Sequence, residues 1–193
     1  MAYRSPSWRP LGAPLPASMP RHLRAWIREP GSLTRRIRGI AGERFAFRRL
    51  GEGWALPAHD EVLGLALATG RYAWTREVWL GLGQTPQIFG RTVVPPDLVD
   101  GPLAGLKRLG DRPLGELIFG RHRLRRGALG VARLRPGDWL HERAQARTGM
   151  PATDELWARR SVFRVDERGL LVTEVFLVPW RLTEGKVGNE RRD

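Results

Sequence analysis

The 193-residue sequence contains no cysteine and no long apolar run. The lack of cysteine excludes disulfides, thiolate catalysis and cysteine zinc sites. A membrane-spanning helix needs ~20 consecutive apolar residues, and no stretch reaches that length. The Pro-rich N-terminus also lacks the uninterrupted apolar core of a signal peptide. We therefore expect a cytoplasmic protein that does not insert into a membrane.

The common sequence signatures of enzymes are missing as well. There is no Walker loop, no dinucleotide-binding glycine fingerprint after a strand, and no GxSxG nucleophile motif. The four histidines are scattered without metal-ligand spacing; they are His22, His59, His122 and His141. We expect no metal site and no cofactor. If the chain is an enzyme, it uses chemistry that needs neither a metal nor a nucleophile visible in the sequence.

Lysine is almost absent, whereas arginine is abundant, and the formal net charge is +13. Residues 1–50 carry 11 Arg against 2 Glu, and residues 121–150 carry 8 Arg against one Asp and one Glu. Such basic segments are typical of nucleic-acid-binding surfaces. An arginine bias this extreme is also what the codon composition of a genome can produce. We expect no nucleic-acid partner.

The pattern of apolar residues predicts an α+β fold with an antiparallel sheet of six strands. Short helices are predicted over 21–28, from Ser32 as N-cap through 38, and after Leu103 and Pro113. The predicted strands are 44–50, the two strands of 75–95, 129–135, 157–165 and 170–178. Residues 57–70 contain an apolar segment of uncertain type, and 136–155 a polar excursion. We expect a monomer with a Pro-rich arm (1–20), one domain (21–180) and a charged tail (181–193).

Three charged residues stand on otherwise apolar strand faces. Because side chains alternate along a strand, Arg76 shares a face with Trp74 and Val78. Arg91 and Glu174 lie in similarly apolar strands. Each could be part of a structural ion pair, extend its charged end to solvent, or mark a sheet edge protected against aggregation. Two arginines and one glutamate would also leave a net positive site that suits an anionic small molecule.

Six motifs, in order and at matching spacing, resemble the chorismate pyruvate-lyase family, from about Arg21 to Pro179. They are Gly31-Ser32-Leu33-Thr34, Arg76-Glu77-Val78-Trp79-Leu80, Gly90-Arg91-Thr92-Val93-Val94-Pro95, Leu109-Gly110 with Pro113-Leu114-Gly115, Trp157-Ala158-Arg159-Arg160-Ser161, and Thr173-Glu174-Val175-Phe176-Leu177. This family converts chorismate to 4-hydroxybenzoate and pyruvate for bacterial ubiquinone synthesis, without a cofactor.

The resemblance implies a six-stranded antiparallel sheet with helices on one face and a small, covered internal site. It implies that Arg76 binds the ring carboxylate of the substrate and that Glu174 meets the ring hydroxyl. Arg91 would help to hold the second carboxylate or to escort the product. Leu33 and Leu114 would line the site and supply backbone donors, although methionine often stands at the position of Leu33.

A second interpretation remains open from the same resemblance. The fold family includes effector-sensing domains of bacterial transcription regulators, which bind small molecules without reacting them. Such regulators carry a helix-turn-helix domain, and residues 1–40 are too short and too Pro-rich to form one. A non-catalytic module that binds an aromatic acid is therefore the alternative to the lyase.

Overall fold

The computed structural model describes residues 3–12, 14–115, 124–150, 155–165 and 167–177. Its helices are α1 (Arg21–Ile27), α2 (Leu33–Ala41), α3 (His59–Leu65), α4 (Pro96–Val99) and α5 (Trp139–Thr148), with 3-10 turns at Gly42–Arg44 and Ala104–Arg108. Its strands are β1 (Arg9–Pro10), β2 (Phe45–Ala55), β3 (Ala73–Leu82), β4 (Thr85–Val94), β5 (Arg125–Arg126), β6 (Gly130–Leu134), β7 (Leu156–Val165) and β8 (Arg168–Phe176). The predicted tail lies outside the described residues, as does most of the helix predicted after Pro113.

All strands belong to one antiparallel sheet in the order β1-β6-β7-β8-β4-β3-β2, with β5 paired to β7. The prediction of an antiparallel α+β fold is confirmed, but the sheet has eight strands rather than six. The six predicted strands are all present. The two additional ones, β1 and β5, have two residues each, which is too short to produce an alternating pattern in the sequence.

Alternation along the strands divides the sheet into two faces. We call the side that carries Arg76, Thr92 and Glu174 the front face, and the side that carries Glu77 and Arg91 the back face. The cross-strand pairs Arg76 with Thr92, Glu77 with Arg91, and Gly90 with Glu174 fix this division. The two faces have different helices packed against them.

Helices α1 and α2 cover one half of the front face. Ser32 begins α2 as predicted, and its hydroxyl oxygen accepts a hydrogen bond from Arg35 N at 3.3 Å. Trp26 and Ile37 bury their side chains against Leu80 and Phe176 of the sheet. The other half is covered by α4 and the 3-10 turn after it, through a cluster that includes Leu98, Leu106 and Leu170.

The back face is also covered by helices, so the expectation of helices on one face only is wrong. Helix α5 packs Leu140 and Ala144 against Phe89 and Val175, and α3 contacts β8 through Leu65. Helix α5 lies within the segment predicted to be a polar excursion. The apolar stripe of α5 is only one helical turn long, and its other positions are mostly polar, so periodicity gives little signal there.

Part of the N-terminal arm is tied to the sheet. Strand β1 pairs with β6, and Trp8 Nε1 donates to Asp60 Oδ2 of α3 at 2.8 Å. Trp139 Nε1 of α5 donates to the other oxygen of the same carboxylate at 2.8 Å. Asp60 therefore joins the arm, α3 and α5 behind the sheet. Among the described residues, no helix has both the length and the apolar character to cross a membrane.

Candidate active site

A cavity of about 80 Å³ lies between the front face of the sheet, the start of α2 and the loop at Pro113. Its lining residues are Gly31, Ser32, Leu33, Thr34, Phe47, Arg76, Val78, Leu80, Ile88, Gly90, Thr92, Pro113, Leu114, Gly115, Arg126, Phe163, Val172 and Glu174. Gly90 stands in the floor between Val78 and Glu174. A Cβ at Gly90 would come within 3.0 Å of Val78 Cγ2, so the absent side chain keeps this part of the floor open.

Arg76 is buried in the wall of this cavity and is only 1% exposed. Its guanidinium donates to the Glu52 carboxylate and to the carbonyl oxygens of Gly110 at 2.7 Å and Arg112 at 2.9 Å. Its Nε is buried and has no hydrogen-bond partner among the described residues. Burial lowers the pKa of Arg76, although Glu52 counteracts this. The side chain is thus fixed in one orientation and retains an unused donor.

Glu174 lies across the cavity from Arg76. In the sheet, Arg76 on β3 and Glu174 on β8 are separated by two strand spacings and one two-residue step, which places their Cα atoms about 12 Å apart. Both side chains belong to the front face and, with Gly90, line the same cavity. A cation and a carboxylate thus face each other across a small apolar chamber.

Glu174 is held by Arg159, which is fully buried. Arg159 Nε donates to Glu174 Oε2 at 2.6 Å, and Arg159 Nη1 donates to the carbonyl oxygens of Trp26 at 3.2 Å and Glu29 at 2.7 Å. Arg159 therefore joins Glu174 to the end of α1, just before the loop that lines the cavity. Its Nη2 is buried and unpartnered among the described residues.

Arg126 is a second cation in the cavity wall, beside Glu174. Its Nε donates to Ser161 Oγ at 2.9 Å, and its Nη1 donates to the carbonyl oxygens of Pro30 at 2.9 Å and Gly31 at 3.1 Å. Burial lowers the pKa of Arg126, and the nearby charge of Arg159 lowers it further. Neither Arg126 nor Arg159 is among the site residues predicted from the sequence. The alternation of Trp157, Arg159 and Ser161 could have placed Arg159 on the face of Glu174, but a two-residue strand gives no signal for Arg126.

The structure brings together four of the five residues expected at the site. Leu33, Arg76, Leu114 and Glu174 all line the cavity. Leu33 is the first residue of α2, whose first-turn N–H groups have no helical acceptor. The wall at Leu33 thus offers an apolar side chain together with backbone donors.

Arg91 is the exception, because it lies on the back face. Its Nε and Nη2 donate to the two oxygens of Glu61 at 2.7 and 3.0 Å, and its Nη1 donates to Glu77 Oε1 at 2.8 Å. Burial acts against its charge, but the two glutamates outweigh this and raise the pKa of Arg91. The sheet separates Arg91 from the cavity of Arg76 and Glu174. Its expected part in holding a carboxylate in that cavity does not fit this position.

The back-face cluster continues into α5. Arg143 Nε donates to Glu77 Oε1 at 2.9 Å, and Arg147 Nε lies 2.9 Å from Glu77 Oε2. Burial would raise the pKa of Glu77, but Arg143 and Arg91 outweigh it, so the pKa of Glu77 is lowered. Across the described ranges, no group of three or more histidine or acidic side chains is arranged to hold a metal ion.

The family model described as "Chorismate lyase" matches residues 14–186 of this chain. The chain belongs to the chorismate lyase family. A curated family relative from Halorhodospira halophila, "Probable chorismate pyruvate-lyase", is 44% identical over 170 residues, covering 88% of this chain and 89% of that protein. A relative of the same name from Methylococcus capsulatus is 37% identical over 155 residues, covering 80% of this chain and 94% of that protein.

Solved structures similar to this chorismate lyase family chain include regulatory domains. The effector domain of PhnF from Mycobacterium smegmatis superposes with a TM-score of 0.55 at 14% identity, covering 76% of this chain and 88% of that one. A GntR-family transcriptional regulator from Bacillus cereus gives a TM-score of 0.54 at 15% identity, covering 75% of this chain and 98% of that one. At these identities the similarity shows a shared fold only.

Proposed function

We propose that this chain converts chorismate to 4-hydroxybenzoate and pyruvate, the first committed step of bacterial ubiquinone biosynthesis. The observation that carries the proposal is the placement of Arg76 and Glu174 at opposite ends of one cavity in a chain of the chorismate lyase family. Chorismate and 4-hydroxybenzoate both have a ring carboxylate and a ring hydroxyl at opposite ends of a rigid six-membered ring. The cavity offers a complementary group for each end.

Arg76 binds the ring carboxylate in this proposal. The Nε of Arg76 is a buried donor that has no hydrogen-bond partner among the described residues, and a carboxylate oxygen would supply the missing acceptor. Glu52 and the carbonyl oxygens of Gly110 and Arg112 hold the guanidinium in place beforehand. Pre-organised, charge-assisted contacts of this kind bind carboxylates strongly.

Glu174 accepts a hydrogen bond from the ring hydroxyl at the other end. The apolar side chains of Val78, Ile88 and Val172 lie along the cavity and pack against the ring faces. Leu33 and Leu114 complete the wall, and the N–H groups at the start of α2 provide further donors. The site thus selects a flat ring by shape and its two polar ends by charge.

The reaction breaks two bonds that join ring carbons to their substituents, one C–H bond and one C–O bond. The carbon that bears the hydroxyl loses its proton, and the bond between the neighbouring ring carbon and the ether oxygen breaks with its electron pair going to that oxygen. The ring becomes aromatic, and the released enolpyruvate takes up a proton at its methylene carbon to give pyruvate. Because aromatisation makes the reaction favourable, the protein needs mainly to orient the substrate and stabilise developing charge. We propose that no cofactor takes part.

The test is incubation of the purified protein with chorismate, followed by separate assays of 4-hydroxybenzoate and pyruvate with and without a chelator. We expect equal amounts of the two products and no effect of the chelator. Glu174→Gln, which keeps the size of the side chain but removes its charge, should lower turnover more than substrate affinity.

Two outcomes would contradict the proposal. Tight binding of 4-hydroxybenzoate without turnover of chorismate would favour a non-catalytic, effector-binding module. Activity that is lost with the chelator and restored by a divalent ion would overturn the cofactor-free chemistry.

A further inference from the structure

The cavity wall around Glu174 carries more positive than negative charge. Arg126 and Arg159 both lie within ion-pair distance of Glu174 Oε2, at 3.8 and 2.6 Å. The other nearby carboxylate, Glu29, is paired with Arg36 at 3.0 Å. These five groups, which are three arginines and two glutamates, leave one positive charge without a counter-charge among the residues that the structure describes. At the opposite end of the cavity, by contrast, Arg76 is matched by Glu52.

Arg126 is the cation in this group that reaches the cavity. Its Nε and Nη1 are occupied by Ser161 and by the carbonyl oxygens of Pro30 and Gly31, all at 2.9 to 3.1 Å. Its Nη2 lies 3.8 Å from Glu174 Oε2, which is beyond hydrogen-bond distance. The guanidinium is therefore anchored on two sides and presents its remaining nitrogen beside Glu174. Arg159, in contrast, is fully buried behind Glu174 and does not line the cavity.

We propose that Arg126 binds the carboxylate of the enolpyruvyl group and stabilises the negative charge that develops on the leaving ether oxygen. The inference rests on the proposed function and assigns the second anionic group of the substrate to a residue. In chorismate the ether-bearing carbon is next to the carbon that bears the hydroxyl. A hydroxyl held at Glu174 therefore places the enolpyruvyl group on the side of the ring near Glu174, where Arg126 is.

The charge of the site supports this assignment. Chorismate has two carboxylates, and Arg76 accounts for one of them. The uncompensated positive charge beside Glu174 is neutralised when the second carboxylate binds. Arg91, the other candidate for this role from the sequence, is fully paired on the back face. Once the ether bond breaks, Arg126 also faces the oxygen that gains the electron pair, so its contact is stronger in the transition state.

If Arg126 had only a structural role, its removal would affect binding of the product as well as of the substrate. Binding of 4-hydroxybenzoate therefore distinguishes a structural role from a role in binding the second carboxylate. Arg126 also holds the Pro30 and Gly31 carbonyls, so its removal could simply loosen the loop that lines the cavity. 4-Hydroxybenzoate lacks the enolpyruvyl carboxylate but contacts the same loop. A loosened loop would weaken binding of the product and the substrate alike, whereas loss of the second carboxylate site would affect only the substrate.

The experiment compares Arg126→Gln with the wild type by steady-state kinetics on chorismate and by calorimetric titration with 4-hydroxybenzoate. We expect kcat/KM to fall about 100-fold, while the Kd of 4-hydroxybenzoate changes less than about threefold. Arg126→Lys, which keeps the positive charge but not the planar guanidinium with its several donors, should recover part of kcat/KM. Arg125→Gln is the matched control, because Arg125 is the exposed neighbour on the same short strand.

Three results would overturn the inference. Equal losses of product affinity and kcat/KM would show that Arg126 only supports the loop. Unchanged kcat/KM in Arg126→Gln, with an active wild type, would reject the inference and leave the proposed function intact. A wild type that fails to convert chorismate would reject both.

Discussion

The two faces of the sheet both bury arginines and glutamates, but they satisfy them differently. On the back face, all three nitrogens of Arg91 donate to carboxylates, and Glu77 is shared by Arg91, Arg143 and Arg147. On the front face, Arg76 Nε and Arg159 Nη2 have no partner among the described residues. Arg126 Nη2 lies 3.8 Å from Glu174 Oε2, beyond hydrogen-bond distance.

This difference distinguishes the charges that pair within the fold from those that we propose to bind substrate more clearly than their burial does. Leaving a buried donor unsatisfied costs about 1–3 kcal/mol, so buried donors are normally paired with protein groups, water or a ligand. On the back face every side-chain nitrogen of Arg91 is hydrogen-bonded, and Arg147 Nε, which has no hydrogen-bond partner among the described residues, still lies 2.9 Å from Glu77 Oε2. On the front face, Arg76 lines the cavity and keeps a donor that is unpaired among the described residues, which is the pattern expected where a ligand carboxylate supplies the missing acceptor.

Arg91→Ala should show the largest effect on stability, because it leaves Glu61 and Glu77 buried with fewer cations. Breaking a buried ion pair by removing one partner costs about 3–5 kcal/mol. We expect a loss of this size in the free energy of unfolding, measured by urea denaturation. Wild-type stability combined with weakened 4-hydroxybenzoate binding would show that Arg91 acts on ligand and that the contrast between the faces is wrong.

Arg76→Ala, in contrast to Arg91→Ala, should mainly weaken ligand binding. It removes a charge-assisted contact to a carboxylate that substrate and product share, so both should bind more weakly by about 2–5 kcal/mol. The measurements are the Kd of 4-hydroxybenzoate and the KM for chorismate, with circular dichroism as the folding check. Arg49→Ala is the control, since Arg49 pairs with the same Glu52 at 2.6 Å but does not line the cavity. A folded Arg76→Ala protein with normal product affinity would assign Arg76 to a structural ion pair.

Acid should destabilise the protein partly through the back face. The pKa of Glu77 is lowered in the folded state by Arg143 and Arg91, so its contribution to stability is complete above the unfolded value of about 4.3. That contribution is lost as the pH falls through the lower, folded pKa. We expect the free energy of unfolding to decline below about pH 4.3 and to decline less steeply in Glu77→Gln.

Glu43→Gln, which removes an exposed carboxylate, is the control for the change in net charge. Identical pH profiles for the wild type and Glu77→Gln would show that the network around Glu77 does not contribute to acid sensitivity.

The register of the central hairpin explains why Arg76 and Arg91 lie on opposite faces of the sheet. Next to the turn, Leu82 pairs with Thr85, and that register extended along the strands would set Arg76 opposite Arg91 on one face. The register shifts between Leu80 and Gly81, so that Arg76 pairs with Thr92 instead. A shift by one residue moves every later side chain to the other face.

The shift depends on a close contact that alternation alone does not reveal. A Cβ at Gly81 would lie 2.0 Å from the carbonyl oxygen of Thr85, so the irregular pairing requires glycine there. The long strands, the Ser32 cap and the cavity residues Arg76 and Glu174 follow from local patterns and the family motifs. Arg126 does not, because its anchors at Pro30 and Gly31 are distant in sequence.

Of these variants, Ser32→Ala should lower the free energy of unfolding least. It shows how much an ordinary contact on the front face contributes to stability. The Ser32 hydroxyl caps α2 through one 3.3 Å hydrogen bond from Arg35 N, and loss of an N-cap side chain costs about 1 kcal/mol. We expect the free energy of unfolding to fall by about this amount in urea denaturation, and Ser32→Thr to recover most of it, since threonine also caps helices. If Ser32→Ala cost as much as Arg91→Ala, the start of α2 would be as critical to the fold as the back-face network. The stability of this chain would then not be concentrated behind the sheet.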